Sequence, residues 1–228
     1  MHRIEDTLSE VNTSIAQAAK TAGRNSNEIT LLGVAKKQSA EKIAEAYSYG
    51  VTNIGENYLQ EALEKQHTLK HLDIVWHFIG PIQSNKTRAI AENFSWVHSV
   101  DRLKIAERLS QQRPPHLPPL NICAQINIDH ERSKSGLTED ELDELVDEID
   151  RFPRLKLRGL MVIPRPSESA AEQRDAFHRT KTLLERINSQ HNCHLDTLSM
   201  GMSNDLDHAI AEGATIVRVG TALFGRRD

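Results

Sequence analysis

Short apolar runs alternate with segments of helical periodicity along almost the whole chain. The runs are rich in β-branched residues, which favours strands, and the segments between them repeat apolar residues every three or four positions, as amphipathic helices do. Strands separated by helices pair in parallel through right-handed crossovers. The strand candidates are ITLLGVA (29–35), VTNIGE (51–56), DIVWHFIG (73–80), FSWVHSV (94–100), NICAQINI (121–128), LKLRGLMVI (155–163), DTLSMG (196–201) and TIVRVG (215–220).

This pattern predicts an α/β fold. Eight such units in a chain of 228 residues fit a closed (β/α)8 TIM barrel, preceded by one extra N-terminal helix. The alternative is an open doubly wound sheet, but the glycine-rich first turn typical of that fold is not found in the sequence. Barrels of this size commonly fold as one unit, so we expect a single domain over residues 1–228.

Composition excludes several classes of partner. A net charge of −4 argues against broad binding to nucleic acid or to a membrane surface, and no apolar run approaches the roughly 20 residues needed to span a bilayer. The N-terminus does not resemble a targeting peptide, and the distant Cys123 and Cys193 fit reduced thiols, so we expect a cytoplasmic protein. HNCH (191–194) lacks the second ligand pair of a zinc site, and no metal is expected.

The first strand candidate ends on two lysines, Lys36 and Lys37. Alternation puts Lys36 on the side of Leu32 and Val34, which suits the barrel interior, and Lys37 on the side of Gly33. Active sites of this fold lie at the carboxyl ends of the strands. A partly desolvated lysine there can form a Schiff base with a carbonyl compound. The alternative is a lysine that extends into water.

The loops after strands seven and eight are the usual phosphate site of such barrels. Ser203 is expected to be the N-cap of a helix, with Asp205 in its first turn, and Gly220 and Thr221 directly follow strand eight. Together these segments can bind a phosphate, although capping and turn residues would look the same. Arg218, between two valines of strand eight, is expected to point inward and to need an acceptor from protein or ligand.

Lysine on strand one, a phosphate site after strands seven and eight, and an inward arginine form a recognisable set. With the long motifs around them, they resemble the pyridoxal phosphate homeostasis protein family, whose fold is similar to the N-terminal barrel of alanine racemase. The resemblance covers essentially the whole chain. The motifs include VAKK (34–37), GENYLQEALEK (55–65), WHFIGPIQSNK (76–86), QINIDHERSKSGL (125–137), LRGLMVIP (157–164), SMGMSNDLDHAI (199–210) and VRVGTALFGRRD (217–228).

The resemblance implies a fold type III barrel that binds pyridoxal 5′-phosphate (PLP), the vitamin B6 cofactor, as a Schiff base on Lys36. Arg218 would face the pyridine nitrogen of the cofactor. A guanidinium has donors only, so the ring would remain a weak electron sink. The other residues implied to bind the cofactor are Asn57, His77 and Met200, which would line the pocket, and Ser203, Gly220 and Thr221, which would bind the phosphate.

Racemisation would need a second acid/base group on the opposite face of the substrate. Tyr58 is the local candidate, but Asn57 and Tyr58 open a predicted helix with Asn57 as its cap. His77 is a second candidate, with packing or pocket lining as the other interpretation. The resemblance also implies that a C-terminal β-domain helps to complete the racemase site. The sequence ends at Asp228, so we expect this protein to lack that domain and its dimer surface, and to be a monomer.

The sequence therefore predicts a PLP carrier that stores, buffers or delivers the cofactor inside the cell, with no catalytic residues, and apo PLP-dependent enzymes as recipients. The main alternative is a PLP-dependent amino-acid racemase of low activity, and a third hypothesis is a Schiff-base aldolase. Lys134, in ERSKSGL (131–137), either contacts a ligand phosphate or carboxylate or lies in a solvated loop.

Overall fold

The computed structural model describes residues 3–131, 135–167 and 169–225. Eight parallel strands form a closed barrel in sequence order, with the last strand paired to the first. The predicted (β/α)8 barrel is confirmed, and the open doubly wound sheet is wrong. The strands are β1 (Thr30–Val34), β2 (Asn53–Glu56), β3 (Val75–Phe78), β4 (Trp96–Val100), β5 (Leu120–Gln125), β6 (Leu155–Met161), β7 (Thr197–Met202) and β8 (Ile216–Val219).

The α-helices cover the outside of this barrel. Apolar side chains on their inner faces pack against the outward side chains of the strands in one continuous hydrophobic core. The helices are α1 (Ile4–Thr21), α2 (Ala40–Ser48), α3 (Leu59–Thr68), α4 (Thr87–Asn93), α5 (Leu103–Gln112), α6 (Glu139–Glu148), α7 (Ala170–Gln190), α8 (Leu206–Ala211) and α9 (Thr221–Phe224). Within the described ranges, none of these helices is both long and apolar enough to cross a membrane.

Helix α1 precedes β1 and is the extra N-terminal helix that the sequence predicted. Its apolar stripe packs against α8 and α9. Buried Thr7 donates a hydrogen bond from Oγ1 to the Leu223 carbonyl at 2.7 Å, and the Arg24 guanidinium, just beyond the helix, donates to the carbonyls of Ile210 and Ala214. Both ends of α1 are therefore tied to the elements that flank β8.

The side-chain alternation of β1 follows the prediction. Leu32 clusters with Ile79, which follows β3, and with Ile216 of β8. Since β3 and β8 are not neighbours in the sheet, these three side chains can meet only inside the barrel. Gly33 faces outward, where an added Cβ would lie 3.2 Å from the side chains of Leu223 and Val51. Leu32 therefore faces the barrel interior. Alternation assigns Lys36 to the same side, because the two residues are four positions apart.

Two predicted helix caps are wrong. Tyr58, not Asn57, occupies the N-cap of α3, and its side chain makes no capping hydrogen bond. Helix α8 begins at Leu206 with Asp205 at the N-cap, so Ser203 lies before the helix rather than capping it. The carboxylate of Asp205 accepts the Met202 N–H at 2.6 Å. This contact closes a turn after β7 and delays the start of the helix.

Candidate functional site

Lys36 lies two residues beyond the end of β1, at the carboxyl-terminal mouth of the barrel. Its side chain is partly buried, whereas that of Lys37 is exposed. The chain turns here: the Gln38 N–H donates to the Ala35 carbonyl at 3.0 Å, and Lys37 adopts φ 60°. Positive φ is uncommon for a residue with a side chain, so the two neighbouring lysines have quite different backbone environments.

A buried ionic cluster lies behind this turn, between β2 and α3. Lys65 donates from Nζ to the Ala35 carbonyl, to Oε1 of Glu56 at 2.7 Å and to Oε1 of Glu61 at 2.6 Å. The same Glu61 oxygen accepts the Lys37 N–H. Burial raises the pKa of Glu56 to about 7, against the opposing effect of the Lys65 ammonium. None of these residues had a role predicted from the sequence.

Asn57 follows β2 at the same mouth. Among the side-chain atoms that the structure describes, its Oδ1 is one of the few that are buried without a hydrogen-bond partner. An unpaired buried amide oxygen is unfavourable unless a ligand or water supplies a donor. Asn57 also lines a cavity of about 350 Å³, whose other walls include Ile79, Asp101, Asn127 and Ile163. Asn57 therefore combines a buried, unpaired acceptor with a place in the wall of this cavity.

Arg218 points into the barrel, as its position in β8 predicted, and is 5% exposed. Its guanidinium donates to the Ser199 carbonyl at 2.6 Å, to the Ser199 hydroxyl at 2.9 Å and to the Val162 carbonyl at 2.8 Å. Burial lowers the pKa of Arg218 to about 10, which leaves it protonated at neutral pH. The protein itself supplies acceptors that fix the orientation of the guanidinium.

A chain of polar side chains continues from Arg218 through the barrel interior. The Ser199 hydroxyl lies 2.8 Å from Nδ1 of His98, and Nε2 of His98 lies 2.9 Å from Nδ1 of His77. Nε2 of His77 then lies 3.0 Å from Oδ1 of Asn53, the first residue of β2. Neither His98 nor Ser199 was predicted from the sequence. The available signal is that each is a polar residue that alternates along its strand with apolar residues of the outer core, which indicates an inward side chain.

His77 therefore lies deeper than a residue at the rim. Its ring stacks on Trp96, the first residue of β4, and contacts Asn53, the first residue of β2, so it occupies the amino-terminal half of the barrel. Met200 is fully buried in the large hydrophobic core, with a parity opposite to that of Ser199. Contact of His77 or Met200 with a cofactor stays a prediction.

Both buried histidines are expected to remain neutral well below neutral pH. Burial lowers the pKa of His77 to about 3, and burial with the nearby His77 and Arg218 lowers that of His98 well below its usual value. The unfolded chain would protonate both near pH 6.5. The free energy of unfolding should therefore decline as pH falls from about 6.5 toward 3. Ring ¹⁵N shifts at pH 5 check this prediction; imidazolium signals from these two rings would contradict it.

The predicted phosphate segments lie side by side, because the ends of β7 and β8 pair at Met202 and Arg218. Ser203 and Thr221 are exposed, and Gly220 is the N-cap of α9. The first intrahelical hydrogen bonds of α9 run from Leu223 and Phe224 to the Gly220 carbonyl. The N–H groups of its first residues therefore precede these bonds and lie at the open helix end. Lys134 lies outside the described residues.

The known proteins that this chain is similar to agree with one another in family. The sequence model described as "Alanine racemase, N-terminal domain" matches residues 11–228. A protein of Pseudomonas aeruginosa named pyridoxal phosphate homeostasis protein is 54% identical over 100% of this chain and 97% of its own length. An Escherichia coli K12 protein of the same name is 48% identical over 100% of this chain and 98% of its own length.

A solved structure resembles the whole barrel. PipY of Synechococcus elongatus PCC7942, with PLP bound, superposes with a TM-score of 0.83 at 37% identity. The alignment covers 92% of this chain and 100% of PipY. Given this fold and these full-length relatives, the chain belongs to the pyridoxal phosphate homeostasis protein family, within the group of barrels that resemble the N-terminal domain of alanine racemase.

Proposed function

We propose that this protein binds PLP on Lys36 and acts in intracellular PLP homeostasis by storing, buffering or delivering the cofactor. The observation that carries the proposal is the position of Lys36, a partly buried lysine at the mouth of a closed barrel, two residues after the end of β1. Full-length relatives are named for PLP homeostasis, and PipY has been solved with PLP bound. Lys37, exposed and in a left-handed conformation, is the less suitable neighbour.

The residues around the mouth fit the chemical groups of PLP. Ser203, Gly220 and Thr221 would bind the phosphate with hydroxyl and backbone N–H groups, since they are exposed or partly exposed at adjacent strand ends. Asn57 would use its unpaired Oδ1 to accept a hydrogen bond from the cofactor or from a water that bridges to it. These donors and acceptors match an anionic, aromatic ligand with polar substituents.

Arg218 would face the pyridine nitrogen as a donor. Its guanidinium is oriented by the carbonyls of Ser199 and Val162, and it stays protonated because its lowered pKa is still about 10. Bound PLP supplies an aldehyde, which condenses with a primary amine and releases one water. An arginine at the ring nitrogen cannot accept a proton and so gives little support to carbanion chemistry. This favours a carrier over an enzyme.

His77 and Met200 would act from behind the pocket in this proposal. The hydrogen-bonded chain from Asn53 to Arg218 passes through His77, so His77 would influence the cofactor through the arginine. Met200 would support the floor of the site from the hydrophobic core.

The remaining parts of the proposal concern partners and organisation. The protein would act as a monomer in the cytoplasm, with residues 1–228 as one domain, and would deliver PLP to apo PLP-dependent enzymes. It would not need a metal, a membrane or a nucleic acid. Tyr58, the local candidate for a second acid/base group, is half exposed at the start of α3. Its position is better suited to a helix start than to a buried proton-transfer residue.

Borohydride reduction of the PLP-loaded protein, followed by peptide mapping, tests the proposal. We expect a stable pyridoxyl label on Lys36, because a covalent link to its amine is reducible, and no label on Lys37. A label on Lys37 would contradict the assignment. Solvent deuterium incorporation at Cα of L-alanine then separates carrier from racemase. Rapid exchange that requires Lys36 would contradict the carrier function and favour the racemase function.

A further inference from the structure

Lys65 is an unusual residue for the buried side of a helix. It lies on α3, is 7% exposed, and directs its ammonium toward three oxygen atoms. These are the Ala35 carbonyl at 2.8 Å, Oε1 of Glu56 at 2.7 Å and Oε1 of Glu61 at 2.6 Å. An ammonium has three N–H donors, so all three are used. Because these partners hold all three donors of a buried ammonium, the side chain of Lys65 is restricted to one position.

Lys65 and its partner Glu61 bond to the backbone of the two residues that flank Lys36 in the sequence. On one side, Lys65 holds the carbonyl of Ala35 directly. On the other side, Oε1 of Glu61 accepts the N–H of Lys37 at 2.6 Å and also accepts from Lys65. The backbone immediately before and immediately after Lys36 is thus bonded to one pair of side chains on α3.

This pair also bonds to the residue of the turn with the unusual backbone. Lys37 adopts φ 60°, which a residue with a side chain rarely does, and its N–H donates to Glu61. Glu56 fixes Lys65 in turn, because its carboxylate is fully buried and its Oε2 has no hydrogen-bond partner among the described residues. Movement of Lys65 would leave that carboxyl group buried without its ammonium.

We propose that Lys65 and Glu61 form a backbone clamp that positions Lys36 for attachment of the cofactor. The inference rests on the proposed function, and it assigns to these two residues a positioning role rather than contact with the ligand. With the backbone held on both sides, the amine of Lys36 starts from a fixed anchor when it meets the aldehyde. The attachment then has a smaller entropic barrier than it would have from a mobile strand end.

Glu61→Ala is the first test, because Glu61 is only partly buried and its loss should leave the fold intact. The rate at which PLP becomes reducibly attached to Lys36 should fall about tenfold or more, in line with the cost of misplacing a reacting group. Hydrogen exchange at the Lys37 amide, measured by NMR without cofactor, should accelerate in the same variant. The amide readout reports the clamp directly and does not depend on the loaded protein.

Two matched variants separate positioning from charge and from general helix effects. Glu61→Gln keeps an acceptor oxygen for the Lys37 N–H, so it should restore most of the attachment rate and the protection of the amide. Glu64→Ala removes the same charge from the exposed face of α3, where Glu64 accepts from Gln60 instead, and should behave like the wild type.

A second route tests Lys65 without leaving a buried charge. The double variant Lys65→Met with Glu56→Gln removes both members of the buried ion pair together, which is better tolerated than removal of one. It also removes the hydrogen bond to the Ala35 carbonyl. We expect slow attachment, with a label that still maps to Lys36, in a protein that melts cooperatively.

The outcomes separate the clamp from the function on which it rests. Wild-type attachment rates in both Glu61→Ala and the double variant would overturn the clamp alone, as would an unchanged Lys37 amide in Glu61→Ala. A wild-type protein that binds PLP without any link to Lys36 would overturn the proposed function, and the clamp's role with it.

Discussion

Replacing Lys36 by alanine should abolish covalent loading with PLP. The Lys36 amine is the proposed attachment point, and its removal leaves only contacts to the phosphate and the ring. We expect the absorption of the covalent link to disappear and PLP affinity to fall about a hundredfold, equivalent to about 2.7 kcal/mol. Absorption spectra and equilibrium dialysis of the two proteins check this.

Lys37→Ala is the matched control for that experiment. Lys37 is exposed, and its contact with Glu61 uses the backbone N–H, which alanine retains. The control should therefore load as the wild type does, although alanine is not favoured at φ 60°. A Lys36→Ala protein that still forms a reducible link would refute the assignment of Lys36.

Replacing Gly80 by alanine should strongly destabilise the barrel at its mouth. A Cβ at Gly80 would lie 2.1 Å from the Asn57 carbonyl oxygen and 2.8 Å from its Cα, so the backbone after β2 would have to move. Because rigid backbone atoms make the contact, we expect a loss of about 3 kcal/mol in the free energy of unfolding. Urea denaturation measures this value.

Gly220→Ala provides the comparison. A Cβ there would meet its nearest atom, the Val34 carbonyl oxygen, at an ordinary 3.4 Å, so the expected change in unfolding free energy is less than about 1 kcal/mol. Its effect should instead appear in PLP binding, since Gly220 belongs to the proposed phosphate site. Equal free energies of unfolding for the two glycine variants would contradict this prediction. They would show that the backbone near Asn57 can move to accommodate the added Cβ.

The fold was predictable because its signal is distributed over the chain. Each of the eight apolar runs contains the strand found in the structure or overlaps it, and repeated crossovers leave few topologies for such an alternation. The interior face of β1 was also predictable, since period-two alternation places Leu32 on one side of the sheet. That the side chain of Lys36 continues this alternation beyond the strand stays a prediction.

Contacts between distant segments were harder to predict. The caps at Asn57 and Ser203 were wrong because a capping residue was selected by type, whereas the turn after β7 is set by the Asp205 carboxylate bonding to Met202. The Lys65 cluster was missed for a related reason. In the sequence, Lys65 is one of several charged residues on a helix, and only the tertiary structure turns it toward the carbonyl of Ala35.

The polar chain inside the barrel has a fixed direction. Arg218 can only donate, so the Ser199 hydroxyl that accepts from it is left to donate toward Nδ1 of His98. Each ring then accepts a hydrogen bond at Nδ1 and donates one from Nε2. The amide oxygen of Asn53 accepts the last hydrogen bond of the chain. The two imidazoles thus carry their hydrogens on Nε2, and one arginine sets both tautomers inside the barrel.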